Sequence, residues 1–318
     1  MIEDRRTKIM QSLERSGYII RRYVGLLRVD VLARSYVISD ARVSSLGAAF
    51  KTLGREGCEG FERVDPQFTA LSKLRSCGML STQLAALNGL VSYVLTMRGE
   101  EFWALFAGFV VSRCGGLNDF RDCVKLIKEF TVRFNKLGLE AKLRRLDRIA
   151  GCEGAFKKLN LGDLEGYVHD ISHCLGCSDE SKTVVFSAKM AYYTLKSMGI
   201  EVDVSRIPIP VDRRVTSVTL TSGLVGPEAG RRVGLDSLED LTQDLMKHPE
   251  LVRRAWDLVS RVSGVPALNL DAPLWLIGGY VKLRRASEII TSLRALGVTV
   301  SEEVLTQLVN ELTYVLRS

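Results

Sequence analysis

A chain of 318 residues, 46% hydrophobic and 25% charged, can bury a sizeable core, which excludes a disordered tail or a collagenous chain and leaves one or two domains. The longest apolar run, Phe102 to Val111, spans ten residues and contains Gly108, well short of the ~20 that cross a bilayer. The start, Met-Ile-Glu-Asp-Arg-Arg-Thr-Lys, carries acids and no apolar run behind it, so no secretory signal and no membrane partner are expected, and the protein reads as cytoplasmic. The net charge of +7 is uneven: residues 1 to 60 hold eleven Lys and Arg against seven acids, and residues 61 to 318 hold 33 against 30. Such mild basicity suggests a polyanion partner without establishing one.

In chain order, residues 1 to 60 read as a basic N-terminal extension of unassigned role, either two helices packed on the body or a basic arm, and residues 61 to 318 as the main domain. Helical spacing then dominates. Phe102, Phe106, Phe109 and Val110 recur on one face, as do Phe120, Val124, Ile127, Phe130 and Phe134, while strict alternation is scarce. An all-α fold of about a dozen helices follows. Asn118-Asp119 opens a helix that Gly138 closes, Ser301-Glu-Glu opens the last one, and Asp236 and His248-Pro249-Glu250 mark others. Ile207-Pro-Ile-Pro-Val-Asp212 stands apart, because prolines at alternate positions force extended backbone and deliver Asp212 to a helix start.

Seven cysteines, at 58, 77, 114, 123, 152, 174 and 177, read as buried thiols rather than a disulfide framework in an intracellular chain of this size. The single C-x-x-C, Cys174 and Cys177, lacks the second pair that a closed zinc site needs. No metal is expected.

The chemistry concentrates on the helix that starts at Lys182. Spacings of four and three put Lys182, Phe186 and Lys189 on one face. Alone, that is a stripe whose lysines snorkel to water. Just upstream, Leu175-Gly-Cys-Ser-Asp-Glu-Ser181 forms a turn at a helix start, where free backbone N–H groups can hold a phosphate. Thirty residues beyond Lys182 comes Asp212, which by itself reads as an N-cap. Trp103 and Trp275 read equally as core, and Gln67 as a surface residue after a proline.

Hairpin turn, helix opening with Lys and a later helix opening with Pro-Val-Asp together resemble the helix-hairpin-helix superfamily of DNA glycosylases, and within it the archaeal 8-oxoguanine DNA glycosylase and abasic-site lyase branch. Four stretches carry the resemblance: Asp65-Pro-Gln-Phe68; Leu87-Asn-Gly-Leu-Val-Ser-Tyr-Val-Leu-Thr with Gly99-Glu-Glu-Phe-Trp103; Lys182 to Met190 with Ile207 to Asp212; and Asp271-Ala-Pro-Leu-Trp275. The sequence departs from the superfamily in its turn, where Ser178 and Glu180 stand in place of two glycines. It also has no cysteine beyond 177, so the iron-sulfur cluster of the endonuclease III relatives cannot be built.

The resemblance implies two helical lobes with the active site in the crevice between them, and removal of 8-oxoguanine from DNA with Schiff-base lyase activity. It makes Lys182 the nucleophile and Asp212 the catalytic carboxylate. Gln67, Trp103, Phe186, Lys189, Asp271 and Trp275 would form the pocket for the extruded base. Aromatic walls suit a flat purine, Gln67 offers donor and acceptor, and Asp271 accepts from the base edge. Lys182 would have to act as an uncharged amine, which asks for desolvation and a second cation. Lys189 either fills that place or orients the base. DNA containing 8-oxoguanine or an abasic site is the implied partner, the protein a monomer at the nucleoid, and no cofactor is called for. The alternatives are a non-catalytic helix-hairpin-helix DNA-binding protein and an all-α interaction module without nucleic acid.

Overall fold

The computed structural model describes residues 36–227, 233–283 and 285–317. The chain enters through a short strand, β1 (Tyr36–Ile38), and a long helix, α1 (Asp40–Val64). Ser39 caps α1 by accepting from the Arg42 N–H, and Asp40 adds a negative charge to the first turn. Gly54 interrupts it with φ 67° and ψ 175°, a left-handed conformation that a side chain would strain. Along α1, Leu46, Phe50, Leu53, Cys58 and Phe61 are all buried. The sequence division at residue 60 thus falls inside the helical segment that follows the Gly54 kink. Residues 40–60 of the expected extension contribute to a hydrophobic core, and residues 1–35 lie outside the described residues.

Eight helices follow as a first lobe: α2 (Pro66–Ser72), α3 (Leu80–Val91), α4 (Gly99–Val111), α5 (Phe120–Phe134), α6 (Leu139–Ile149), α7 (Glu153–Asn160), α8 (Leu164–Leu175) and α9 (Lys182–Ser197). The phenylalanine periodicity of α4 and α5 closes on itself, with Phe102, Phe106 and Phe109 each meeting Phe130 at centroid distances of 5.3–5.4 Å. Asp119 caps α5 as expected, but the helix ends at Asn135, and Gly138 instead opens α6. At the centre, α9 packs on α3 so closely that a Cβ on Gly89 would stand 2.8 Å from the Ser187 Cα. Glycine is required there by backbone proximity.

The chain then crosses to a second lobe with α10 (Arg213–Thr221), β2 (Val225–Pro227), α11 (Leu235–Leu245), α12 (Pro249–Ser263), α13 (Ala267–Gly278), α14 (Ala286–Ala295) and α15 (Glu302–Leu312). This lobe folds around α1. Its core joins Phe50, Trp256, Val218 and Leu308, and Trp256 donates to Thr219 Oγ1 at 2.8 Å. β1 and β2 pair antiparallel, Tyr36 opposite Pro227, the one departure from an otherwise all-α architecture among the described residues. Two separate hydrophobic cores, one per lobe, leave a crevice between them.

The cysteines correct the sequence expectation. Cys77 is bonded to Cys114 and Cys152 to Cys174, both within the first lobe, while Cys58 and Cys123 are buried thiols and Cys177 is an exposed one. The spacing along the chain hid these pairs because helix packing, not sequence proximity, brings their Cα atoms to 5.5 and 6.3 Å. Cys174 is thereby removed from any C-x-x-C ligand pair.

Candidate active site between the lobes

α8 ends on Gly176, in the left-handed region at φ 64°, with the Cys177 N–H returning to the Ser172 carbonyl. The next turn is built without further glycine. Ser178 accepts the Ser181 N–H on its carbonyl and the Glu180 N–H on its hydroxyl, so this serine closes the turn. Arg253 of α12 pairs with Glu180 at 3.2 Å and ties the turn to the second lobe. α9 then begins at Lys182.

The three residues of the α9 face form a gradient of depth: Lys182 is exposed, Phe186 half-buried and Lys189 buried. Lys182 therefore stands at the rim, exposed in the free protein. Lys189 lies at the floor, 2.6 Å from Asp271 Oδ2 and 3.3 Å from Asp65 Oδ2, and donates to Gln67 Oε1 at 3.2 Å. Burial alone would lower the Lys189 ammonium, but Asp271 and Asp65 together outweigh it and hold the group well above the ordinary lysine range. With two carboxylates on one ammonium, the cluster carries a net negative charge. Lys189 is thus not the uncompensated cation that was sought beside Lys182.

Burial raises the Asp271 carboxyl to about 6, Lys189 opposes that rise, and the nearby carboxylates of Asp212 and Asp65 add to it. Because a lysine can only donate, Gln67 must turn its oxygen to Lys189, which leaves the amide NH₂ as its free donor. The floor therefore offers a donor from Gln67 beside an acceptor from Asp271.

From the second lobe, the extended Ile207–Val211 segment delivers Asp212 to the start of α10 as its sequence predicts. Asp212 is half-buried, and its Oδ1 accepts the Val215 N–H at 2.9 Å. The second oxygen has no hydrogen bond among the described residues, so the cap leaves it available. Asp271 and Trp275 follow on α13. Trp103, from α4, meets Phe186 at a centroid distance of 5.9 Å and an interplanar angle of 62°. Trp103 is both core and wall: it packs against Phe102 and Phe106, yet it borders the cavity.

All eight side chains singled out from sequence border one cavity of ≈ 330 Å³ between the lobes, near the lower end of small-ligand pockets at about 300–1,000 Å³. A larger groove, ≈ 1010 Å³, passes between Glu165 and Arg261. It mixes four arginines with five acids and has no Trp, Tyr or Phe in its lining, so it lacks the broad flat walls of the smaller cavity.

Four further residues of the site escaped the sequence reading. Asp65 caps α2 through Oδ1 at 2.8 Å from the Gln67 N–H, and its Oδ2 holds both Lys189 and the Tyr193 hydroxyl, the latter at 3.0 Å. Burial and the negative charge of Asp65 push the Tyr193 hydroxyl well above its ordinary value, so it remains a donor. Arg214 and Glu100 pair at 2.9 Å across the crevice, and Arg214 covers the Trp275 ring. The Asp-Pro dipeptide at 65 signalled a cap, and Tyr193 lies one turn beyond Lys189. Nothing local signalled Arg214, which reads as half of a solvated basic pair with Arg213.

Two helical lobes, a hairpin turn that opens a helix on Lys182 and a carboxylate-capped helix facing the same cavity define a DNA glycosylase of the helix-hairpin-helix class. The model of the AGOG family, N-glycosylase/DNA lyase, matches residues 47–312, and the chain belongs to that family. The N-glycosylase/DNA lyase of Pyrobaculum aerophilum is 35% identical over 248 residues, 76% of this chain and 89% of its own. That of Aeropyrum pernix is 32% identical over 251 residues, 74% and 82% of the two chains. Among solved structures, the complex of 8-oxoguanosine with Pa-AGOG, the 8-oxoguanine DNA glycosylase from Pyrobaculum aerophilum, matches with a TM-score of 0.64 at 30% identity, covering 85% of this chain and 97% of that one. The resemblance drawn from four sequence stretches is borne out. DNA is the substrate of this class, and no helix among the described residues is long and apolar enough to cross a membrane.

Proposed function

We propose that this N-glycosylase/DNA lyase removes 8-oxoguanine from DNA, with Lys182 as nucleophile and Asp212 as its catalytic carboxylate. The observation that carries the reading is the convergence of Lys182, Asp212, three aromatic rings and a paired donor and acceptor on one interlobe cavity. A module that only gripped DNA backbones would have no use for a buried Asp271–Lys189–Gln67 floor. The solved relative with bound 8-oxoguanosine supports the identity of the base.

The chemistry follows from these positions. The damaged nucleotide is flipped out of the duplex into the crevice, where its ring lies against aromatic walls. Gln67 donates to the purine edge and Asp271 accepts from its N–H groups, including the one at N7 that guanine lacks until oxidised. Lys182 is exposed in the free protein, so the arriving DNA supplies the desolvation its amine needs. The amine attacks C1′ and the bond from C1′ to N9 breaks, its electron pair leaving with the base, which takes up a proton. Asp212 stabilises positive charge on the sugar through the oxygen its cap leaves available. The C1′–O4′ bond then breaks, O4′ taking up a proton as the ring opens, to give a Schiff base from which proton removal at C2′ expels the 3′ phosphate by β-elimination. Abasic sites enter at the attack step, where the C1′ oxygen leaves as water in place of the base.

This reading takes α1 into the catalytic body, restricts the extension to the residues ahead of it, and has the enzyme working as a monomer on cytoplasmic, nucleoid DNA. The test is borohydride trapping on a duplex with one 8-oxoguanine beside undamaged and uracil duplexes. A covalent adduct on the oxidised strand alone, lost in Lys182→Gln while lesion binding persists, is expected. Cleavage by Lys182→Gln at the wild-type rate removes Lys182 from the mechanism, and no adduct from folded, DNA-bound protein returns the chain to a backbone-binding role.

A further inference from the structure

Trp275 is the aromatic wall that the second lobe contributes to the cavity, and its ring is covered. The Arg214 guanidinium carbon lies 3.8 Å from the ring centroid, the separation of stacked planar groups. The residues around it hold it there. Arg214 Nη2 lies 2.9 Å from Glu100 Oε1, which belongs to α4 of the opposite lobe, so the ion pair spans the crevice. A Cβ at Gly279 would come 3.8 Å from the guanidinium, which therefore rests against a bare backbone at the C-terminal end of α13, where the helix dipole favours a cation. Burial works to raise the Glu100 carboxyl, but its own backbone N–H and Arg214 pull it below the ordinary range, so the pair stays charged.

A flat, delocalised cation on a tryptophan face inside the base pocket occupies the position that a flat base needs. We propose that Arg214 is a built-in plug of this pocket: without DNA it stacks on Trp275 and, through Glu100, ties the two lobes together, and a flipped purine must displace it. The inference rests on the base-pocket reading above. Displacement makes entry competitive, so a base is retained only when its stacking and its bonds to Gln67 and Asp271 exceed those Arg214 gives up. Undamaged guanine, without the N7 hydrogen, has one bond fewer with which to win. The freed guanidinium then stands at the mouth of the pocket, where the phosphates of the bent strand pass.

Tryptophan fluorescence reads the plug directly. The chain has three tryptophans; Trp103 and Trp256 are 1% and 0% exposed and Trp275 is 8% exposed, so acrylamide reaches mainly Trp275. In the full chain without DNA, Arg214→Ala and the shape-conserving Glu100→Gln should both raise acrylamide quenching, and the rise should vanish in a Trp275→Phe background. Arg214→Ala should then bind the nucleoside 8-oxoguanosine about tenfold more tightly, the change that 1.4 kcal/mol produces, with Glu100→Gln between it and wild type. A merely structural arginine would move neither reading in that direction. Quenching that does not rise in either variant overturns the plug whatever the nucleoside does. Equal or weaker nucleoside binding by Arg214→Ala also overturns it, making Arg214 a wall of the pocket. Failure of the wild type and both variants to bind the nucleoside overturns the substrate reading and its plug together, an outcome distinct from the other two.

Discussion

Lys189 Nζ and Asp271 Oδ2 lie 2.6 Å apart at the bottom of the interlobe crevice, with relative side-chain exposures of 2% and 3%. A pair so fully removed from water is held by geometry, and its worth shows when one partner is removed. Lys189→Met would leave Asp271 and Asp65 buried with no counter-charge, at a cost of about 3–5 kcal/mol. Guanidinium unfolding of Lys189→Met against wild type measures this. The double variant Lys189→Met/Asp271→Leu, with no charge left on this pair, should recover part of the loss while binding no base. A Lys189→Met protein as stable as wild type would show that the cluster does not hold the lobes.

The same pair sets a pH dependence. The raised Asp271 carboxyl keeps its proton up to about pH 6, so the acceptor at the pocket floor is lost as pH falls through that value. Nucleoside binding should therefore weaken below about pH 6 in the wild type and stay flat in Asp271→Asn. For stability the sign is opposite. Between the ordinary carboxylate range and about 6 the native state holds a proton that the unfolded chain has released, so this group's contribution falls as pH rises through that window. Titration of 8-oxoguanosine from pH 5 to 8 reads the binding side, and parallel profiles for wild type and Asp271→Asn would exclude Asp271 as the acceptor.

Asp212 holds two roles on two oxygens, and two substitutions tell them apart. Asparagine caps a helix about as well as aspartate, so Asp212→Asn should leave stability within about 0.5 kcal/mol while slowing single-turnover base release. Asp212→Ala should lose the cap as well, about 1 kcal/mol. Single-turnover kinetics beside thermal unfolding is the comparison required. An Asp212→Asn enzyme with an unchanged rate would reduce the residue to a cap.

What could be read from the sequence was whatever a local rule dictates. Two prolines at alternate positions force the extended path to Asp212, and spacings of four and three align Lys182, Phe186 and Lys189. The contacts that decide the chemistry of the floor are not local. Asp65 and Lys189 are 124 residues apart, and on its own helix face Lys189 reads as a solvated lysine. Arg214 reads beside a neighbouring arginine, and its partner Glu100 reaches it from the other lobe, 114 residues away. Trp103 shows why core against pocket was a false choice, since one ring serves both. The β1–β2 pair was invisible for a different reason: three residues per strand are too few for alternation to register.

The cysteines give the most direct check on the fold of the first lobe. If Cys77 pairs with Cys114 and Cys152 with Cys174, three thiols remain of the seven cysteines. Thiol titration of the denatured, unreduced protein should therefore count three, and seven only after reduction. The bridges close loops of 37 and 22 residues, and loop-closure entropy gives each about 3–4 kcal/mol of stabilisation. Thermal unfolding with and without dithiothreitol should show a clear drop in Tm on reduction. The Cys152–Cys174 bridge anchors the end of α8 just ahead of the turn that positions Lys182, so Cys152→Ser/Cys174→Ser should lose lesion cleavage at temperatures where Cys77→Ser/Cys114→Ser retains it. Seven thiols before reduction would restore the reading of buried thiols and leave the turn held by Gly176, Ser178 and Arg253 alone.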